Sequence, residues 1–97
     1  VLEQYPASKK AKKQLANEYM VQAEAHRNAN DLTATLHAYQ QALQYHAQPA
    51  HVLTNLGVTA EDLGQRDAGI AYYQQAIEID PSFVPAQHNL RLVLDTE

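Results

Sequence analysis

The sequence predicts an all-α chain of antiparallel helical hairpins, about five helices in all, and three observations predict it. The first is composition. Of 97 residues, 45% are hydrophobic, while only three are glycine, four proline and one phenylalanine; alanine, glutamine and leucine, which favour helix, are abundant. The second is punctuation: Pro49, Gly64 and Pro81 separate stretches in which apolar residues recur at spacings of three and four. The third is a repetition. Residues 38–43 read AYQQAL and residues 72–77 read YYQQAI, so Tyr39 and Tyr73 lie 34 positions apart, as do Gln40 and Gln74, Gln41 and Gln75, and Ala42 and Ala76. A fixed period of this length marks a supersecondary unit used more than once.

In chain order, residues 1–15 read as the close of a preceding unit followed by a basic extension. LEQYPAS places Pro6 at a termination and Ser8 as a helix cap. The distance from Pro6 to Tyr39 exceeds that of one unit by seven residues, about two helical turns, which returns side chains to nearly the same face. The first helix therefore runs from about Ser8 to Asn28, lengthened at its N-terminal end, and Lys9, Lys10, Lys12 and Lys13 sit on the added turns. Asn30 tolerates the left-handed turn conformation, and Asp31 or Asn30 caps the second helix. That helix carries Leu32, Leu36, Tyr39, Ala42 and Leu43 on one face. From Pro49 to Leu63, Val52, Leu53, Leu56, Ala60 and Leu63 mark a third helix, ended by Gly64. A fourth runs from Arg66 to Ile79 through Ala68, Ile70, Tyr73, Ala76 and Ile77. Asp80-Pro81 stops it, because a residue before proline is pushed out of helical geometry. A fifth begins at Val84. Helices of about 14 residues joined by such short turns lie antiparallel.

Leu53, Leu56-Gly57, Ala60, Gly64, Gly69, Tyr73, Ala76 and Pro81 keep the spacing of a known pattern: an aromatic, Leu-Gly and an aromatic on one helix, then small, aromatic, small and proline on the next. The chain thus resembles the tetratricopeptide repeat family, with Leu53 and Ala60 in place of the usual aromatics. Tyr19, Gln22-Ala23, His26, Thr35, Tyr39, Ala42 and Ala47 form a weaker copy, and Asn89-Leu90 echoes Asn55-Leu56. The resemblance implies residues 16–49 as a first repeat, 50–83 as a second, and 84–97 as the first helix of a partial third repeat or a capping helix. The whole would stack as a short right-handed solenoid, a fragment of a larger repeat protein. Ala23 and Gly57 are then expected where the two helices of a hairpin touch. Tyr39 and Tyr73 are expected to fill the space between neighbouring hairpins, with the glutamine pairs facing water.

Several classes of function find no support. Cysteine is absent, which excludes disulfides, thiol catalysis and cysteine-ligated zinc. No apolar run approaches the roughly 20 residues needed to span a bilayer, and the expected setting is a soluble one, cytoplasm or periplasm. The formal charge is −4; residues 1–13 carry four lysines and one glutamate, and the remainder three basic and ten acidic residues, a net −7. An acidic body argues against a general nucleic-acid surface. The lysines spread over more than half the helix circumference and read as a solvated collar, with an acidic docking site as the other reading. His26, His37, His46, His51 and His88 contain no i,i+4 pair, so no metal site is expected, although His46 and His51 flank one turn and could meet. Ser8 and Ser82 sit at helix starts, where hydroxyls cap. Glu61 and Asp62, adjacent on a helix, point about 100° apart and need not share a proton. No phosphate loop is present, and neither an enzyme nor a cofactor is expected.

The family resemblance also implies a concave groove lined by the first helix of each repeat. Carried onto this sequence, its places fall at Asn17, Met20, Val21, Glu24, Arg27 and Asn28, at His51, Thr54, Asn55, Val58, Glu61 and Asp62, and at Pro85, His88, Asn89 and Leu92. Asn55 and Asn89 take a place where family asparagines often bind a peptide backbone, a task suited to an amide that both donates and accepts. Members that clamp the terminal carboxylate of chaperone tails place Lys or Arg in the groove. Here Met20, Thr54 and His88 hold the fifth places, with Glu24, Glu61 and Asp62 nearby, so a neutral or basic segment suits the charge better. The expected function is a scaffold that binds a peptide or helix of a partner protein. The alternative is self-association, or a spacer role in a larger assembly, because Leu90, Leu92, Val93 and Leu94 crowd the last helix; a homodimer through it is the specific form.

Overall fold

A computed structural model describes residues 6–45 and 48–95, with side chains from residue 11 onward. Five helices and no strand occur among the described residues: α1 (Pro6–Asn28), α2 (Leu32–Gln44), α3 (Pro49–Asp62), α4 (Arg66–Ile79) and α5 (Val84–Asp95). The all-α expectation holds. The chain divides into two compact units, 1–47 and 48–97. The reading of residues 1–5 as the close of a preceding unit, and those that rest on His46, Ala47 and the side chains of Ser8, Lys9 and Lys10, lie outside the described residues.

The first unit is a hairpin of α1 and α2. Pro6 opens α1. At the first helical position the missing N–H of proline is no loss. Ser8 falls in the first turn of this helix. At the other end Asn30 adopts φ 61°. Its N–H donates to the Arg27 carbonyl at 2.9 Å and that of Asp31 to the His26 carbonyl at 2.8 Å. A left-handed residue makes this closure possible and satisfies carbonyls that the ending helix leaves over. Asp31 then caps α2, its Oδ1 accepting from the Ala34 N–H at 3.2 Å. Ala16 and Ala23, two turns apart, are the buried residues of α1, and Thr35, Ala38, Tyr39 and Ala42 those of α2. Alanine side chains let helix backbones approach closely, and Tyr39, 2% exposed, supplies the bulk. Tyr19 and Tyr45 stack with ring centroids 6.0 Å apart, tying α1 to the residue that ends α2. Residues 11–15, on the lengthened part of α1, are all exposed.

In the second unit α3 and α4 form the hairpin, and α5 packs on both. The turn repeats the first: Gly64 has φ 79°, its N–H donates to the Glu61 carbonyl at 2.9 Å, and that of Gln65 to the Ala60 carbonyl at 2.8 Å. Val52, Leu53, Leu56 and Ala60 make the buried stripe of α3, and Gly69, Tyr73 and Ala76 that of α4. Complete burial of a side chain such as Leu56 contributes about 1.5–3 kcal/mol. Asp80 is extended, as a residue before proline must be, and ends α4. Its Oδ1 accepts from both the N–H and the hydroxyl of Ser82, at 3.1 and 2.7 Å. Ser82 therefore closes a turn onto Asp80 instead of capping α5. That helix buries Ala86 and Val93 on one side, and Arg66, from the start of α4, donates to the Val93 carbonyl at 3.1 Å.

Tyr73 makes contacts within its own hairpin. Its ring lies against Gly57, and its hydroxyl donates to Glu61 Oε2, both on α3 of the same hairpin.

Candidate partner-binding surface

The stripe that α3 leaves uncovered follows from the stripe it buries. With Val52, Leu53, Leu56, Thr59 and Ala60 inward, the residues left outside are His51, Asn55, Val58, Glu61 and Asp62. On α5, with Ala86 and Val93 inward, Pro85, His88, Asn89 and Leu92 remain outside. These two helices touch.

Within that surface the residues differ in what they offer. Asn55 and Asn89 are half-buried, and their side-chain amides take no hydrogen bond from the described residues. An amide in that state has donors and an acceptor left for a ligand backbone. His51 and His88 are exposed. The His51 ring meets Phe83 edge-on, centroids 6.3 Å apart at 86°. Both line a cavity of about 260 Å³ with Gln48, Pro49, Ala50, Ile79 and Asp80. Val58 is half-buried and Leu92 is 50% exposed, which gives the surface apolar area.

Thr54 stands apart. It is 4% exposed, and its hydroxyl donates to the Ala50 carbonyl of its own helix at 2.7 Å. Its polar group is thus spent locally and its side chain lies inside, so it is removed from the surface set.

Glu61 is held from behind. Tyr73, fully buried, donates its hydroxyl to one carboxylate oxygen, while the residue itself remains half-buried at the surface. The contact was not foreseen, although both residues recur in the 34-residue register: Arg27 and Tyr39 stand at the same separation in the first unit.

In that unit Met20 is half-buried, and Glu24 and Arg27 are exposed. Burial raises the Tyr39 pKa above 10.0; Arg27 opposes the shift and Glu24 adds to it.

Among the described residues there is no group of three or more His, Asp or Glu placed to hold a metal, and no helix long and apolar enough to cross a membrane.

Residues 50–83 match the family model of the tetratricopeptide repeat. No curated protein matches the chain. The matched stretch holds the hairpin of α3 and α4 and the turn that leads into α5, and repeats of this kind generally mediate protein–protein interaction. This segment, and not the whole chain, is thus similar to a tetratricopeptide repeat.

Proposed function

We propose that the chain is an interaction module that holds an extended peptide or a helix of a partner protein on the surface formed by α3 and α5. In this reading residues 16–49 form a first repeat, 50–83 a second, and 84–97 the first helix of a partial third. The observation that carries it is the pair Asn55 and Asn89: half-buried amides, unspent within the described residues, on two touching helices. They would orient a ligand backbone, while Val58 and Leu92 supply apolar contact. Met20, Glu24 and Arg27 are the corresponding candidates on the first repeat, considered by itself. No Lys or Arg occurs in α3, which favours a neutral or basic segment over an acidic tail.

The test is selection of binders from a displayed library of random peptides against the full 97-residue chain, followed by affinity measurement on Asn55→Ala/Asn89→Ala. The double variant should bind the selected peptides at least about tenfold more weakly, as loss of two backbone-directed hydrogen bonds implies, with an unchanged melting temperature. Equal binding overturns the reading, and a lowered melting temperature assigns the asparagines to the fold.

A second reading rests on α5, where Leu92 and Leu94 are 50% and 46% exposed. Pairing of two copies through this helix would cover them. Light scattering decides it: a mass independent of concentration removes the homodimer.

A further inference from the structure

We propose that Glu61 is the specificity-determining charge of the α3–α5 surface, and that it selects a partner segment carrying a lysine or arginine; this rests on the binding reading above. Three independent observations lead there. The carboxylate is fixed on one side only: Tyr73 donates to Oε2, and the described residues provide no ion pair to Glu61 or to the neighbouring Asp62. The cation that could have neutralised it is engaged elsewhere, since Arg66 reaches the Val93 carbonyl and lies 3.9 Å from Asp67. A half-buried carboxylate whose orientation is set by a buried phenol has lost much of the freedom that an ion pair must otherwise remove, which is what makes a surface charge selective.

The third observation shows that the sign of the charge is not dictated by the fold. In the first unit the position 34 residues earlier is Arg27, and the tyrosine twelve residues further on recurs as Tyr39, whose burial-raised pKa the Arg27 charge lowers. A phenol can donate to a carboxylate or accept from a guanidinium. The same seat therefore accommodates either charge, and the negative one at Glu61 is free to answer to a ligand. Gly57 and Gly69 support the arrangement sterically. The first leaves room for the Tyr73 ring; at the second, a Cβ would lie 2.9 Å from Glu61 Cγ.

The experiment uses the same displayed library against the full chain, with Glu61→Gln and Glu61→Arg beside the parent. Glutamine keeps an acceptor for the Tyr73 hydroxyl and removes only the charge, so the fold is retained. Peptides selected by the parent should be enriched in Lys or Arg at one fixed position. They should bind Glu61→Gln roughly fivefold more weakly, the scale of one partly desolvated ion pair. Glu61→Arg should select acidic residues at that position instead. Tyr73→Phe should weaken the cationic preference while leaving neutral peptides unaffected. Peptides that bind through the asparagines yet show no cationic enrichment, or an Arg variant with an unchanged selection, overturn this proposal and leave the binding reading intact. If the parent selects no peptide at all, the binding reading fails and this one with it.

Discussion

The ring of Tyr73 occupies the place that a side chain at position 57 would need. A Cβ built on Gly57 would lie 2.3 Å from Cε1 and 2.6 Å from Cδ1 of that ring, distances no pair of carbon atoms sustains. Because Tyr73 is fully buried and its hydroxyl is bonded to Glu61, the ring has nowhere to retreat. The glycine and the tyrosine are one device: the absence of a side chain on α3 admits the aromatic of α4 between the helix backbones.

Gly57→Ala should therefore destabilise the chain by about 1–3 kcal/mol, the usual cost of overpacking a filled core. Chemical denaturation would measure it. Combining it with Tyr73→Leu should give a loss smaller than the sum of the two single losses, as expected for residues in contact. Additive losses would mean that the two positions do not share space. Gly69→Ala should cost less. Its Cβ would meet the flexible Glu61 Cγ at 2.9 Å and the Gly57 carbonyl at 3.0 Å, and only the second of these cannot move aside.

The two hairpin turns give a contrasting case, in which space is plentiful and the backbone decides. Nothing lies within 4 Å of a Cβ added at Gly64, yet its φ is 79°. Alanine there must adopt the left-handed region at a cost of about 1–2 kcal/mol. Gly64→Ala should lower the melting temperature accordingly, whereas Asn30→Gly, at the equivalent turn with φ 61°, should leave it unchanged or raise it slightly. A harmless alanine at 64 would show that the turn has another accessible conformation.

These turns were legible in the sequence because glycine, asparagine and proline act through local backbone sterics, which need no knowledge of the tertiary neighbours. Helix count and helix type followed from the same kind of signal, and the close approach at Gly57 from the family resemblance. What was not legible is where side chains point once the helices have met. The 34-residue register states that Tyr39 and Tyr73 are equivalent, but not that Tyr73 reaches back to Glu61. Helical spacing puts Thr54 on a face with His51 and Asn55; it does not register that the hydroxyl can bond to the carbonyl four residues earlier and let the side chain sink inward. Ser82 was read as a cap because serine before a helix usually is one, and the competing acceptor two residues back, Asp80, won. The stack of Tyr19 on Tyr45 joins residues 26 apart with no shared periodicity, so no pattern announces it.

Arg66 links the first turn of α4 to the last turn of α5 through the Val93 carbonyl. The final carbonyls of a helix have no partner within it, and a cation at that end also meets the favourable pole of the helix dipole. Arg66→Ala should cost about 1.5–3 kcal/mol, the range for a hydrogen bond to a charged group, and should speed amide hydrogen exchange in α5 more than in α3. Arg66→Lys should restore part of the loss. Uniform acceleration across the second unit would instead mean that α5 and the hairpin open together.

Tyr39 links stability to pH at the alkaline end. Burial raises its pKa above the ordinary 10.0, only partly offset by Arg27. The native state thus holds the phenol proton more tightly than the unfolded chain does. Where the unfolded phenol is ionised and the native one is not, the native state binds more protons, and stability must fall as pH rises. The contribution is complete below about pH 10, the ordinary range of a tyrosine, and is lost as pH climbs through the raised native value. Denaturation midpoints measured across that interval should decline for the parent chain and decline less steeply for Tyr39→Phe, which cannot ionise. Below pH 9 the phenylalanine variant should differ from the parent by a constant amount, reflecting the lost hydroxyl alone. Parallel slopes for the two proteins above pH 10 would show that Tyr39 is not the group that titrates.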